Sequence, residues 1–163
     1  MRRLILSMAG LFFLFVICSL AMAANTAQQT VTFEVSAINE ISTSGNPSNL
    51  VVDAATAGSQ PVADADNTTT WAVTTNGSNK KMTGAIDTVM PANITLQVNL
   101  GAPTGGSSSG NVTLLATAAN LVTGISTVVQ SGLSITYTLS ATVAAGVVSQ
   151  AQRTVTLTLT DGP

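Results

Sequence analysis

The chain has 163 residues, of which 45% are hydrophobic and only 7% are charged, and it contains no histidine. Without histidine it lacks the base of a Ser-His-Asp or Cys-His catalytic site and the usual nitrogen ligand of zinc. Its formal net charge of −2 excludes the basic surface with which proteins hold nucleic acid, so we expect no nucleic-acid partner.

The first 23 residues have the three parts of a secretory signal peptide. Arg2 and Arg3 precede an uncharged, mostly apolar run, residues 4–20, and Ala21-Met22-Ala23 then supplies an A-x-A cleavage site. We therefore expect cleavage after Ala23, an extracellular or periplasmic location, and no membrane span after cleavage. An uncleaved membrane anchor is the alternative.

Residues 24–163 are then expected to form a single domain. Cleavage removes the only cysteine, Cys18, and two arginines, which leaves three basic and seven acidic residues and a formal charge of −4. No disulfide can support the fold, although the compartment is oxidising. Stability therefore has to come from apolar burial and backbone pairing.

Polar and apolar residues alternate along most of the mature chain, which is the pattern of half-buried β-strands. The clearest strands are predicted at residues 30–37, 69–75, 93–100, 134–142 and 154–160. Weaker strands are predicted at residues 50–53, 81–87, 112–116 and 121–126. Asn76-Gly77 predicts a tight β-hairpin turn. About eight to ten strands with turns between them predict an all-β fold, an antiparallel β-sandwich of an Ig-like or pilin-like kind.

The three aromatic residues beyond the signal peptide are Phe33, Trp71 and Tyr137. Each falls in phase with neighbouring apolar residues, so all three are expected in the core rather than on a surface that stacks against sugar rings. A polar site in the loops could still bind a surface polysaccharide or the cell wall. A polysaccharide- or cell-wall-binding module is therefore the first alternative function.

A short acidic stretch offers oxygen ligands of the kind that Ca²⁺ prefers. Asp64 and Asp66 are expected in a loop, with Asp53 nearby. The EF-hand pattern is incomplete, because Thr68 stands where a third acidic residue would be and no glycine follows. We expect no cofactor, with a structural calcium ion at these three aspartates as the open alternative.

Two further patterns have a catalytic interpretation. Ser78 and Lys81 form an S-x-x-K motif, but that motif works at the start of a helix and here it follows a predicted turn. Glu34 and Glu40 are the only glutamates that could form a glycosidase pair, and Glu34 is predicted on the solvated face of a strand. The sequence therefore predicts a protein that is not an enzyme.

Threonine and serine line one face of the two predicted strands nearest the C-terminus, residues 134–142 and 154–160. We expect the two strands to pair or to neighbour each other and to display one flat hydroxyl surface. Threonine is also the best polar strand former, which explains such rows without a function. Ice binding through the threonine rows is the third functional alternative.

Both terminal strands, residues 28–37 and 154–160, lack the internal lysine or proline that usually protects a sheet edge. Such a strand can add to the sheet of a neighbour and form a homo-oligomer. The candidate interface residues are Thr30, Thr32, Thr154, Thr156 and Thr158. The sequence thus predicts a secreted structural or interaction protein, a self-associating subunit of a surface fibre or matrix. In composition the mature chain resembles small secreted β-sandwich subunits of bacterial surface fibres and biofilm matrices, without a motif diagnostic of a family.

Overall fold

The computed structural model describes residues 25–162, and this part of the chain is all-β. The predicted signal peptide, residues 1–23, lies outside the described residues together with its cleavage site. The chain divides into two units after Glu34, and every strand belongs to the second unit, Val35–Pro163. In the described residues the only helical element is one 3-10 turn, Val143–Ala145, and no helix there could span a membrane.

In residues 25–162, nine strands form two antiparallel sheets, one of which is curled. Their bounds are β1 (Asn39–Thr43), β2 (Asp64–Thr75), β3 (Lys80–Ile86), β4 (Ile94–Leu100), β5 (Ser107–Ser108), β6 (Val112–Thr113), β7 (Ala119–Ile125), β8 (Val128–Ala141) and β9 (Val155–Asp161). The strand order is β1-β2-β8-β4-β6 in the first sheet and β5-β7-β3-β9 in the second. Each sheet therefore ends in a strand that has a partner on one side only.

One apolar core lies between the two sheets. Because side chains alternate across a strand, the inward positions of β8 are Leu133, Ile135 and Tyr137, and all three are buried. The same alternation buries residues of β2 and β4 from the first sheet and of β3 and β7 from the second. The core also contains Trp71, Val73, Met82, Ile86, Leu96, Val98, Leu100, Leu114, Leu121, Val122 and Ile125.

Most of the predicted strands are present in the structure. The segments predicted at 69–75, 81–87, 93–100, 121–126, 134–142 and 154–160 coincide with β2, β3, β4, β7, β8 and β9, while 112–116 shortens to β6. Two predictions were wrong, because residues 30–37 and residues 50–53 form no strand. Two strands, β1 and β5, were not predicted. Both are short, and in neither does an apolar residue recur at alternate positions.

The hairpin predicted at Asn76-Gly77 was also wrong. β2 ends at Thr75 in the first sheet and β3 begins at Lys80 in the second, so the turn carries the chain between the sheets. A type I′ hairpin turn needs positive φ at both central residues. Neither Asn76 nor Gly77 has a positive φ, whereas Asn79 has a φ of 48°.

The expected pairing of the two threonine-rich strands is not observed. β8 lies between β2 and β4 in the first sheet, whereas β9 pairs with β3 at the edge of the second. The β3–β9 register runs without interruption from Lys80 opposite Asp161 to Ile86 opposite Val155, and Lys80 forms an ion pair with Asp161. The two hydroxyl rows therefore lie on different sheets and form no common surface.

Because the core lies between the two sheets, substitutions at two neighbouring positions of β7 should have very different effects on the free energy of unfolding. Leu121 is fully buried and Asn120 is exposed. Leu121→Ala should lower the free energy of unfolding by about 2–5 kcal/mol, because it deletes buried methyl groups and leaves a cavity. Asn120→Ala should change it by less than about 0.5 kcal/mol. Urea denaturation measures both, and similar losses in the two variants would contradict this placement of the core.

Candidate functional site: an apolar groove between two sheet edges

The two sheets are open on the side where β1 and β9 lie. β1 pairs only with β2, and β9 pairs only with β3. Cα atoms of these two edge strands come within 8 Å of each other, yet the strands form no ladder. Between them lies a groove with a volume of about 830 Å³.

The groove reaches the core of the protein. Its floor contains the side chains of Trp71, Ile135 and Tyr137, which are buried. Its walls are formed by the inward side chains of the two edges, Ile41 in β1 and Leu157 in β9. Ile41 lies opposite the buried Val73, and Leu157 lies opposite the buried Gly84, so both face inward. Both are nevertheless only half-buried, because the groove exposes them.

Two buried polar atoms at the groove have no hydrogen-bond partner among the described residues. One is the hydroxyl of Thr69, a residue that is only 4% exposed and lies opposite the inward-facing Ile135. The other is Nε of Arg153, whose Nη2 donates to the Val89 carbonyl oxygen at 3.2 Å. Among the described residues that line the groove, Arg153 is the one with a charged side chain. Unpaired buried polar groups are rare in folded proteins, since each one retains its desolvation cost.

Residues 28–37 are an exposed, alternating segment that we call the N-terminal segment. The backbone makes no turn and no strand pairing from Thr26 to Ile38. Val31, Phe33 and Val35 share one face of the alternation and are 77%, 89% and 78% exposed. The prediction that Phe33 lies in the core was therefore wrong, whereas Trp71 and Tyr137 are buried as predicted.

The five candidate interface threonines fall into two groups in the structure. Thr30 and Thr32 are exposed in the N-terminal segment, at positions that alternate with Val31 and Phe33. Thr154, Thr156 and Thr158 are exposed on the outer face of the β9 region. The intervening residues of β9 pack against the core, as the alternation predicts. The structure thus places both groups on surfaces. The sequence analysis named these threonines as interface residues and did not name the apolar residues that alternate with them.

The acidic stretch does not form a cluster. β2 begins at Asp64, so Asp64 and Asp66 lie on a strand rather than in the expected loop. The Asp64 carboxylate accepts hydrogen bonds from the backbone N–H groups of Val51 (2.7 Å) and Ala65 (2.9 Å). Within residues 25–162, no three His, Cys, Asp or Glu side chains come together as metal ligands, and Asp53 therefore joins no such group.

The Asp66 carboxylate is held by Thr68. The Thr68 hydroxyl donates to its Oδ1 at 2.8 Å and to its Oδ2 at 3.1 Å, and the Thr68 N–H donates to Oδ1 at 3.1 Å. These hydrogen bonds favour the ionised form, and they lower the pKa of Asp66 below its ordinary value despite some desolvation. The carboxylate therefore has a structural role at the start of β2.

The chain shows no significant similarity to protein-family models, to curated proteins or to solved structures. Its function therefore has to be argued from the groove, the two edge strands and the N-terminal segment.

The hydrogen bonds to Asp66 predict a pH-dependent contribution to stability. Thr68→Val removes the hydroxyl donor, so the pKa of Asp66 should rise toward its ordinary value of about 3.9. A pKa that is lowered in the folded state stabilises the fold while the carboxyl is ionised. The stability advantage of the natural chain should thus be present above about pH 4 and lost as the pH falls through the lowered pKa.

Urea denaturation of the natural chain and of Thr68→Val, near neutral pH and near pH 2 (roughly two units below that ordinary pKa), measures this difference. Thr74→Val, an exposed threonine of the same strand, is the matched control and should show no pH-dependent difference. An equal loss for Thr68→Val at both pH values would contradict the role of Asp66.

Proposed function

We propose that this protein is a secreted, non-enzymatic structural subunit of the cell exterior that self-associates by strand addition. The observation that carries the proposal is the N-terminal segment, whose alternating apolar residues are exposed and which forms no strand within its own chain. A segment with strand periodicity and no sheet of its own is suited to the edge of another sheet. The predicted signal peptide, residues 1–23, would deliver the subunit to the exterior.

The sheet edges support the proposal because they are open to addition. β9 contains neither lysine nor proline between Val155 and Asp161, and its partner β3 occupies only one of its two sides. Edge strands of proteins that remain monomeric usually carry such protection. We assign the two sheets to an antiparallel β-sandwich of an Ig-like or pilin-like kind, an architecture in which strand addition at an edge extends an existing sheet.

Binding of a polysaccharide or the cell wall receives less support from the structure. Trp71 and Tyr137 are buried, and the tryptophan indole N–H donates to the carbonyl oxygen of Gly101 at 3.1 Å. Among the described residues only Phe33 has an exposed aromatic ring, so no pair of exposed rings forms a platform for a sugar. Ice binding also receives less support, because the two threonine rows lie on different sheets.

The proposal predicts that the chain from Ala24 forms oligomers or filaments, and light scattering with negative-stain electron microscopy measures this. Thr156→Lys places a charge on the edge strand β9 and should weaken association roughly tenfold, or about 1.4 kcal/mol. Thr136→Lys is the matched control, since Thr136 faces outward on the central strand β8. A natural chain that stays monomeric would refute self-association, and equal association of both variants would refute the β9 edge.

A further inference from the structure

The groove between β1 and β9 leaves part of the β9 edge open. Strands in a sheet lie about 4.7–4.9 Å apart, and β1 and β9 come within 8 Å of each other at their nearest approach. A further strand therefore has room only away from that approach, beside the groove-lining part of β9, Val155 to Leu157. The inward residues of β9 are Val155, Leu157 and Leu159, all apolar and half-buried. In β1 only Ile41 is apolar among the inward positions. A further apolar strand is therefore best accommodated beside β9, where it continues the apolar inner face of that sheet.

The N-terminal segment matches this space in chemistry. Its face of Val31, Phe33 and Val35 alternates with polar residues in the same way as β9. It has one charged residue, Glu34, and the groove has one charged residue of the opposite sign, Arg153. Its backbone and hydroxyls could also supply partners for the buried Thr69 hydroxyl and Arg153 Nε at the groove.

We propose that the N-terminal segment of one copy occupies the groove of a second copy. In this arrangement the segment pairs with the free edge of β9 and inserts Val31, Phe33 and Val35 between the two sheets. The inference rests on the proposed function and deepens it by naming the donor strand and the acceptor site. Repetition of the same contact from copy to copy is head-to-tail, so it generates a ring or a filament.

The hydrogen bonds of Asn76 favour a second copy over the groove of the same chain. Asn76 Oδ1 accepts from the N–H of Ile38 at 2.8 Å, and its Nδ2 donates to the carbonyl oxygen of Ser36 at 2.9 Å. These two bonds hold the chain just before β1, where it makes no turn. A return of the segment along β1 into its own groove would need a reversal at this point and would break both bonds.

Disulfide trapping tests the contact directly, because the chain from Ala24 has no cysteine. One preparation carries Phe33→Cys and a second, of different tag mass, carries Leu157→Cys in the groove wall. Mixed under mild oxidation, they should form the cross-linked heterodimer roughly a hundredfold faster than colliding free chains, because docking raises the effective concentration to the millimolar range. Thr32→Cys, exposed on the opposite face of the segment, is the matched control and should cross-link slowly.

Substitutions at Phe33 and Thr32 test how much the apolar residues of the N-terminal segment contribute to assembly. Phe33→Asp should weaken association roughly thirtyfold or more, as expected for the loss of a central aromatic anchor. Thr32→Asp adds the same charge on the other face and should leave association nearly unchanged. Because Phe33 and Thr32 are both exposed in the single chain, equal urea denaturation midpoints should show that both variants still fold.

The outcomes separate the two proposals. If the natural chain associates but Phe33→Asp associates equally well, or Phe33→Cys cross-links no faster than Thr32→Cys, the groove assignment is wrong while self-association stands. If the natural chain does not associate and the mixed cysteine variants do not cross-link, both proposals are wrong. A disulfide that forms only within one chain of the double variant Phe33→Cys/Leu157→Cys would place the segment in its own groove and would overturn the exchange between copies.

Discussion

Burial of one apolar interior between two sheets is the interaction on which the rest of this structure depends. Beyond Cys18 the chain has no cysteine that could join the sheets by a disulfide. It has few charged residues, two of which form the Lys80–Asp161 ion pair. The interior is nevertheless open between β1 and β9, where Ile41 and Leu157 are only half-buried. Apolar area exposed to water costs about 25 cal/mol per Å². A strand that fills the groove would remove this cost and satisfy the unpaired backbone groups of β9 at once.

The two chain ends have different roles in this arrangement. β9 is held at its C-terminal end by the Lys80–Asp161 ion pair and by the N–H of Gly162, which donates to the Asn79 carbonyl oxygen at 2.6 Å. Seven consecutive residues of β9 also pair with β3. β9 is thus an integral strand whose free side can accept a partner. The N-terminal segment forms no strand in its own chain, so it is the donated end in the proposed exchange.

Alternation in the sequence predicted seven of the nine strands in the described residues, with β6 shorter than predicted, and the inward direction of their apolar residues, because both depend on local spacing. The partner of each strand could not be predicted in this way. β8 and β9 have nearly the same pattern, yet they lie in different sheets, since pairing depends on contacts between residues far apart in the chain. The groove follows from that pairing, so its lining by Thr69 and Arg153 left no signal in the sequence. The hairpin prediction at Asn76-Gly77 was wrong for another reason. This turn connects strands of different sheets, and neither residue has the positive φ of a type I′ hairpin turn.

Phe33 is the residue at which prediction and structure differ most, and the difference has a physical meaning. Alternation of polar and apolar residues predicts that one face of a strand is apolar. It does not predict whether that face is buried by the same chain or by another. Burial of Val31, Phe33 and Val35 would contribute about 1.5–3 kcal/mol each, against an association cost of about 4–15 kcal/mol. The side chains alone therefore only balance the cost of association. Backbone pairing with the free edge of β9 has to supply the remainder, and this requires a donor with the regular spacing of a strand.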